Sequence, residues 1–151
     1  MATVIRPYRD DDFETVMAIE RGEDGSDYQS AVFVRQAGVL YPQTFFVLEH
    51  EGTAAGFTVG GGVQGDGGRA WVLRLKVRED LRGRGFGRRL LSCLLDALKD
   101  RGVAEVLLSV SPQNLPAVGL YESVGFGVAR IEEGYFGEGE DRLLMRLPLP
   151  Q

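Results

Sequence analysis

Cysteine and histidine are almost absent from this chain. Its 151 residues include one cysteine and one histidine, so no internal disulfide can form and a zinc site of the usual kind is excluded. Cys93 stands among leucines, where we expect it to pack rather than to react. No apolar run is long enough to cross a bilayer, and the first residues lack the apolar stretch of a signal peptide. We therefore expect a cytoplasmic protein that binds neither a metal nor a membrane.

A broad excess of positive charge is also missing. Seventeen lysines and arginines stand against 22 acids, which gives a net charge of −5. Nucleic-acid binding needs a wide basic face, so nucleic acid is not an expected partner. The basic residues nevertheless concentrate between Arg74 and Arg89. A compact basic patch in an acidic chain suits one small polyanion.

The rest of the composition is that of a globular protein. Hydrophobic residues make up 44% and charged residues 26% of the chain, and there are no repeats or low-complexity linkers. A length of 151 residues suffices for one hydrophobic core. We predict a single domain over residues 1–151.

The most informative segment is the glycine- and arginine-rich stretch at residues 82–88. It follows an alternating apolar pattern at 71–77 and opens an amphipathic run that continues to Leu98. The first N–H groups of a helix lack internal partners and favour an anion, and glycines let a phosphate approach the backbone. The segment therefore predicts a phosphate site, and the alternative is an Arg/Gly-rich surface turn.

The spacing of the glycines indicates which phosphate ligand is bound. A P-loop would have a Lys-Ser/Thr pair after its last glycine, and a dinucleotide site would read G-x-G-x-x-G. Neither fits, whereas Arg82, Gly85 and Gly87 fit [Q/R]-x-x-G-x-[G/A]. This motif resembles the pyrophosphate-binding motif of the GNAT superfamily of N-acetyltransferases. The segment from Asn114 to Phe126 resembles a second block of that superfamily, N-x-x-A-x-x-L-Y-x-x-x-G-F.

The resemblance implies an acyl-CoA N-acyltransferase fold, which is an α/β fold with a central mixed, twisted sheet of about seven strands and helices on both faces. It also implies acetyl-CoA as cosubstrate. The backbone of Leu75, Lys76 and Val77 would pair with its pantetheine arm. The pyrophosphate would be held by Arg82, Gly83, Arg84, Gly85, Phe86, Gly87 and Arg88.

Two residues of the second block carry the remaining roles that the resemblance implies. Tyr121 matches the tyrosine that serves as general acid in many relatives, and the alternative is an aromatic residue that packs between helix and sheet. Asn114 would hydrogen-bond the pantetheine or orient the site, and it can also cap the following helix.

The apolar patterns predict the secondary structure in the order β-α-α-β-β-β-α-β-α-β-β. Strands are expected at 4–7, 45–50, 54–62, 71–77, 103–110, 126–132 and 142–147, and helices at about 10–21, 28–38, 86–98 and 116–124. One of Asp10, Asp11 and Asp12 is expected to cap the first helix. Residues 60–68, which hold six glycines, are interpreted as a flexible hairpin connection, and His50 as a solvated turn residue.

The general base is left unassigned by the sequence. Several relatives carry a glutamate on the strand before the phosphate-binding segment, but residues 71–77 contain no acid. Ribosomal-protein alanine N-acetyltransferases carry one on the following strand, where this chain has Ser109. The amine could lose its proton through water or to one of several acids, namely Glu20, Glu23, Asp24, Glu140 and Asp141.

Two features bear on the acceptor. The segment from Tyr135 to Asp141, with Met145, resembles the Y-Y-x-x-x-x-E-D-x-x-x-M tail of protein N-terminal acetyltransferases, and the alternative is a glycine-rich hairpin with solvated charges. Arg74, Lys76 and Arg78 alternate onto one strand face. If that face lines the acceptor cleft, the acceptor carries a carboxylate or a phosphate.

We therefore predict an N-acetyltransferase that transfers the acetyl group of acetyl-CoA to a primary amine within a ternary complex. The amine is a protein or peptide N-terminus, or alternatively a small-molecule amine or amino acid. A non-catalytic acyl-CoA sensor on the same fold is the alternative from another class, and a homodimer is left open.

Overall fold

The computed structural model describes residues 2–150, which contain seven strands and four α-helices. Their order is β1 (Thr3–Pro7), α1 (Phe13–Arg21), α2 (Asp27–Leu40), β2 (Phe45–His50), β3 (Thr53–Val63), β4 (Asp66–Val77), α3 (Phe86–Asp100), β5 (Glu105–Val110), α4 (Leu115–Val124), β6 (Gly127–Glu132) and β7 (Arg142–Pro148). Short 3-10 turns precede α1 and follow β4, at Asp10–Asp12 and Glu79–Leu81. The predicted order of elements is confirmed.

The strands form one mixed sheet in the order β1-β2-β3-β4-β5-β7-β6. β4 and β5 are parallel, whereas β1 with β2, β2 with β3, β5 with β7, and β6 with β7 are antiparallel. A mixed sheet of about seven strands was expected from the sequence and is confirmed. None of the helices in the described part of the chain combines the length and apolarity needed to span a membrane.

The chain divides into two compact units, of which the first comprises the residues up to Gly61 and Leu73–Leu98. Side chains of β2 alternate between two apolar clusters in this unit, as the pleat of a strand requires. Phe45 and Val47 join the cluster that contains Val16 of α1 and Val34 of α2. Leu48 joins the other cluster, which is made with Ala55, Leu81, Phe86 and Leu90. Helices therefore cover both faces of the sheet in this unit.

The second unit comprises Gly62–Val72 and the residues from Lys99 onward. In β5 the buried residues alternate at Val106, Leu108 and Val110, and Leu108 lies opposite buried Met145 of β7. α4 ends at Gly125, whose left-handed backbone (φ 118°) lets its N–H bond the carbonyls of Tyr121 and Glu122. The sequence predicted this glycine as the helix terminator.

The glycine-rich segment at 60–68 differs from the prediction of a flexible connection. β3 continues to Val63 and β4 begins at Asp66, so only Gln64 and Gly65 form the turn. A Cβ at Gly61 would lie 2.8 Å from the ring of Tyr41. Part of the glycine content therefore makes room for an aromatic ring within a regular strand.

Two further local predictions are wrong because each side chain makes a different contact from the one predicted. The carboxylate of Asp12 does not cap α1 but accepts hydrogen bonds from the Arg9 backbone N–H and the Arg6 guanidinium, all at 2.8 Å. His50 lies in β2 with a side chain only 17% exposed, and its Nδ1 is 2.9 Å from Oγ1 of Thr3 on β1. It is not a solvated turn residue.

Candidate functional site

The segment at residues 82–88, here called the phosphate loop, joins the 3-10 turn after β4 to the start of α3. Gly83 and Gly85 both have φ +82°, a conformation that other residues adopt only with strain. A Cβ at either glycine would meet nothing within 4 Å. The backbone there faces open space, which is the condition for a phosphate to approach it.

Both ends of the phosphate loop are anchored. Leu81 before it and Phe86 within it are each 7% exposed and pack in one cluster with Leu90. The side chain of Arg82 donates from Nε to the carbonyl of Val77 at 3.1 Å, which ties the loop to the end of β4. The loop therefore has a fixed position relative to the strand that precedes it.

The phosphate loop is electropositive. The N–H of Arg89 donates to the carbonyl of Gly85 at 3.1 Å and closes the first turn of α3, whose leading N–H groups have no acceptor within the helix. Arg82, Arg84 and Arg88 have exposed side chains on the same segment. Backbone donors, open glycines and arginines together fit a pyrophosphate. Residues 2–150 contain no group of three or more His, Cys, Asp or Glu side chains suited to a metal ion.

The end of β4 has two different faces. Leu75 and Val77 pack against the cluster beneath α3, whereas Arg74 and Lys76 alternate to the opposite side. The Arg78 N–H donates to the carbonyl of Ala55 of β3 at 2.7 Å, so one edge of this segment is held by β3. β4 pairs with β5 at three successive residues of the second unit, from Arg69 opposite Glu105 to Trp71 opposite Leu107.

Glu20 connects α1 to β4 through two cations, a contact that sequence reasoning missed. Its side chain is 9% exposed, and Oε2 accepts from Nε of Arg74 at 2.9 Å. Nζ of Lys76 lies 3.4 Å from Oε1, an ion-pair contact without a hydrogen bond, and donates to the Glu20 carbonyl at 2.7 Å. The available signal was an acid on the buried stripe of α1, beside Val16 and Ile19.

The acids considered as general bases differ in burial and in the groups that they contact. Glu20 is buried against Arg74 and Lys76, so its oxygens are closed to an incoming amine. Asp141 accepts from the Gly134 N–H at 2.8 Å, and Glu140 pairs with Arg142 at 3.1 Å. Glu23 and Asp24 are exposed in the loop between α1 and α2, and Ser109 lies on β5 opposite Leu144. This arrangement assigns the base to none of them.

Asn114 and Tyr121 lie in the second unit, whereas Leu75 to Val77 and the phosphate loop lie in the first. Oδ1 of Asn114 accepts from the Ala117 N–H at 3.3 Å, so this residue caps α4. Tyr121 is 9% exposed and its ring meets that of Phe126 edge-on at 5.8 Å. Burial raises the pKa of Tyr121 to about 12, so its phenol retains the proton at neutral pH.

The connection between β6 and β7 presents two aromatic rings to solvent. Tyr135 is 41% and Phe136 is 61% exposed, with ring centres 4.9 Å apart, and the Arg142 guanidinium lies 5.0 Å from the Phe136 ring. Backbone bonds within the turn, such as the Glu140 N–H to the Gly137 carbonyl at 3.0 Å, give it a defined shape. An ordered turn with exposed aromatic rings suits contact with a peptide.

Cys93 occupies the α3 side of a shallow surface pocket in the first unit. The pocket is lined by Ile5, Arg88, Arg89, Ser92, Cys93 and Asp96. Burial, with a smaller contribution from Asp96, raises the pKa of the Cys93 thiol. A thiol that holds its proton is a weak nucleophile, which agrees with the expectation that Cys93 packs rather than reacts.

Comparison with known proteins identifies relatives along nearly the whole chain. The model of the acetyltransferase (GNAT) family matches residues 8–126. The ribosomal protein bS18-alanine N-acetyltransferase of Escherichia coli K12 is 33% identical over 141 residues, which cover 91% of this chain and 92% of the relative. An N-alpha-acetyltransferase of Sulfurisphaera tokodaii is 30% identical over 155 residues, with 96% and 92% covered.

A solved structure supports the same fold. The crystal structure of Ard1 from Thermoplasma volcanium superposes with a TM-score of 0.89, at 24% identity and with 100% of both chains covered. At this identity the likeness establishes the fold only. The mixed sheet and the order of its elements are those expected from the sequence.

Proposed function

Because the chain belongs to the acetyltransferase (GNAT) family, it is an acetyl-CoA-dependent N-acetyltransferase, and we propose that its acceptor is the α-amino group of a protein N-terminus. The main support is the 33% identity, across nine-tenths of both chains, to an enzyme named as a ribosomal protein bS18-alanine N-acetyltransferase, together with the 30% identity to a relative named as an N-alpha-acetyltransferase. The exposed rings of Tyr135 and Phe136 add a surface on which a peptide can rest.

Acetyl-CoA supplies an acetyl group that is activated as a thioester. In this proposal the phosphate loop holds the pyrophosphate through its backbone N–H groups, with charge from Arg82, Arg84 and Arg88. Gly83, Gly85 and Gly87 permit the approach, while Phe86 contributes its backbone because its side chain is buried. The backbone of Leu75, Lys76 and Val77 lies along the pantetheine arm, and Asn114 helps to orient it.

Tyr121 is the proposed proton donor to the departing thiolate. Its phenol carries a proton over the whole working range because burial raises its pKa to about 12. The amine attacks directly in a ternary complex, and no covalent enzyme intermediate is needed. An α-amino group has a pKa of about 8, so a useful fraction is already unprotonated at neutral pH and water can take the remaining proton. This accounts for a site without an assigned base.

The two compact units are proposed to act as one acetyltransferase domain. The cytoplasm is the proposed location of the protein. The family match at 8–126 draws on residues of both units. Calorimetry of the full chain should then give a single unfolding transition with equal calorimetric and van't Hoff enthalpies. Two separate transitions would contradict the single domain without affecting the proposed chemistry.

The experiment that tests the proposed function measures CoA release with a thiol-reactive dye. The acceptors are peptides with varied N-terminal residues, the same peptides with a blocked N-terminus, and a panel of free amines and amino acids. We expect turnover with a subset of the free-N-terminus peptides and none with their blocked counterparts. Turnover with free amines alone would move the function to small-molecule acetylation. Acetyl-CoA binding without turnover of any acceptor would instead favour a sensor.

A further inference from the structure

The end of β4 has one face packed under α3 and one face that is partly exposed. On one side, Leu75 and Val77 are packed with Leu81 and Phe86 under α3. On the other side, Arg74 and Lys76 keep 41% and 38% of their side chains exposed. If the acyl arm lies along Leu75 to Val77, as the proposed function has it, an incoming amine approaches across the face of these two cations.

Arg74 is held in one orientation. Its Nε donates to Glu20 at 2.9 Å and its Nη1 to the carbonyl of Leu73 at 2.8 Å. Its guanidinium also lies 4.3 Å from the ring centre of Phe33 on α2. A guanidinium that is ordered before a ligand arrives loses little side-chain entropy on binding. Its remaining N–H donors form a planar edge that suits a carboxylate.

The charges on this face do not cancel. Glu20 supplies one negative charge, buried beneath the two positive charges of Arg74 and Lys76. Arg78, the next residue of the same alternation, is paired with Asp80 at 2.9 Å instead. The exposed face of β4 therefore carries an excess positive charge at Arg74 and Lys76. Glu23 and Asp24 are nearby in sequence but lie in the exposed loop after α1.

From these observations we infer that Arg74, supported by Lys76, selects acceptors that carry a carboxylate within the first few residues of the N-terminus. Glu20 is the positioning residue that keeps both cations in place. This inference rests on the proposed function, because it needs a peptide acceptor at the end of β4. To the proposed function it adds that the acceptor peptide is negatively charged near its N-terminus.

The test compares three peptides that differ only at the second residue, Ala-Glu, Ala-Gln and Ala-Lys, followed by one common neutral sequence. In wild-type enzyme we expect kcat/KM to be about fivefold higher for the Glu than for the Gln peptide, the upper range of an exposed ion pair, and lowest for the Lys peptide. Moving the glutamate to position 8 should remove the preference. Raising the salt concentration from 50 to 500 mM should shrink it, because screening weakens exposed charge pairs.

Variants assign the preference to Arg74. Arg74→Gln should bring the Glu and Gln peptides to equal kcat/KM, and Arg74→Lys should retain part of the difference because it keeps charge without the planar fork. Arg78→Gln is the matched control. Arg78 belongs to the same alternating series as Arg74 and Lys76, but its charge is already neutralised by Asp80. This variant should leave the preference as in wild type. If Arg74→Gln does not fold, the salt series and Arg74→Lys still test the inference.

Two outcomes overturn the inference while peptide acetylation stands. One is equal rates for all three peptides, and the other is a preference for the Lys peptide, which would mean that Glu23 and Asp24 dominate the acceptor face. A preference for Glu that Arg74→Gln leaves intact would place the selection elsewhere and reject the role of Arg74. Turnover of none of these peptides and of none in the wider panel of N-terminal residues, with acetyl-CoA bound, rejects the proposed function and this inference with it.

Discussion

Tyr121 is a residue for which packing and chemistry are compatible. Its burial raises the pKa of the phenol to about 12, and this same burial keeps the proton on the oxygen. An aromatic residue that packs between helix and sheet is therefore not an alternative to a proton donor. The sequence motif offered both interpretations, and the structure is consistent with both at once.

Removing the Tyr121 hydroxyl should reduce turnover and little else. Tyr121→Phe should lower kcat by about 10²- to 10⁴-fold, the usual contribution of a positioned acid, with an unchanged Kd for acetyl-CoA. In the wild type, kcat/KM should rise with pH as the amine deprotonates. It should show no falling limb up to pH 10.5, because a phenol with a pKa of about 12 stays protonated there. A falling limb near pH 9, or a Phe variant of full activity, would contradict the assignment.

Gly85 should be required for both backbone conformation and ligand approach. Gly85→Ala should lower the free energy of unfolding by about 1–2 kcal/mol, the cost of a left-handed backbone with a Cβ. It should also weaken acetyl-CoA binding by about tenfold or more, as expected when a charge-assisted contact is lost. Isothermal titration calorimetry and urea unfolding measure the two effects.

Gly52→Ala is the control for Gly85→Ala. Gly52 has the same φ of +82° and the same open space around a Cβ, but it lies in the turn between β2 and β3. Its replacement should cost similar stability without changing acetyl-CoA affinity. If both variants bind acetyl-CoA equally well, the phosphate loop does not approach the pyrophosphate as proposed.

At the scale of secondary structure elements, β3 and β4 show how glycine can serve a regular strand. The sequence pattern at 60–68 suggested a flexible connection, yet both strands continue through it to a two-residue turn. Tyr41, which follows α2, lies over Gly61 and makes that glycine a packing residue. The neighbouring Gly62 has nothing within 4 Å of a Cβ position, so the same strand contains both a restricted and an open glycine.

This contrast predicts opposite results for two adjacent substitutions. Gly61→Ala places a Cβ 2.8 Å from the Tyr41 ring and should lower the free energy of unfolding by about 1–3 kcal/mol through overpacking. Gly62→Ala should leave stability unchanged or raise it by about 0.4–1 kcal/mol, because it only restricts the unfolded chain. Urea denaturation of both variants measures the difference. Equal effects would mean that Tyr41 moves aside easily.

α1 and β4 form a second pair of elements whose connection is set by charge. The last turn of α1 is fixed to β4 because Glu20 contacts Arg74 and Lys76, 54 and 56 residues further along the chain. α1 alone predicts only an acid on an apolar stripe, and β4 alone predicts only alternating cations. The contact between the two elements buries Glu20, so it is not an accessible base. It also orders Arg74 and Lys76 as a cationic face of β4.

For the whole molecule, the contacts of Asp12 with Arg6 and with the Arg9 N–H should make stability dependent on acid pH. Burial raises the pKa of Asp12, but hydrogen bonds from the Arg6 guanidinium and the Arg9 N–H outweigh it and lower the pKa below its usual 3.8. A lowered pKa in the folded state contributes stability that is complete above the unfolded value and is lost as pH falls through the folded value. Asp12 should therefore contribute fully above about pH 5 and progressively less below pH 4.

Differential scanning calorimetry of wild type and Asp12→Asn at pH 7, 5, 4 and 3 tests this contribution. At pH 7 the Asn variant should be less stable by about 1–2 kcal/mol, because a neutral amide replaces a paired carboxylate. On acidification its Tm should fall less than that of wild type, so the two curves converge. Parallel curves would show that other carboxylates account for the acid dependence.

The sequence by itself determined the family, the order of the elements and the place of the glycine- and arginine-rich segment between β4 and α3. These depend on signals that lie within a few residues of one another. Arg82, Gly85 and Gly87 share one turn, Gly125 ends the helix that carries Tyr121, and apolar residues repeat with the period of the element they form. Local spacing is visible in a sequence because neighbours along the chain are neighbours in space.

The tertiary structure alone decided which charged and polar side chains meet. His50 contacts Thr3 across 47 residues, Glu20 reaches two cations of β4, and the Tyr41 ring occupies the space above Gly61. Each contact depends on strand register or on the packing of a helix over the sheet, which no local pattern encodes. The buried position of Glu20 and the exposed cation face of β4 are consequences of that packing.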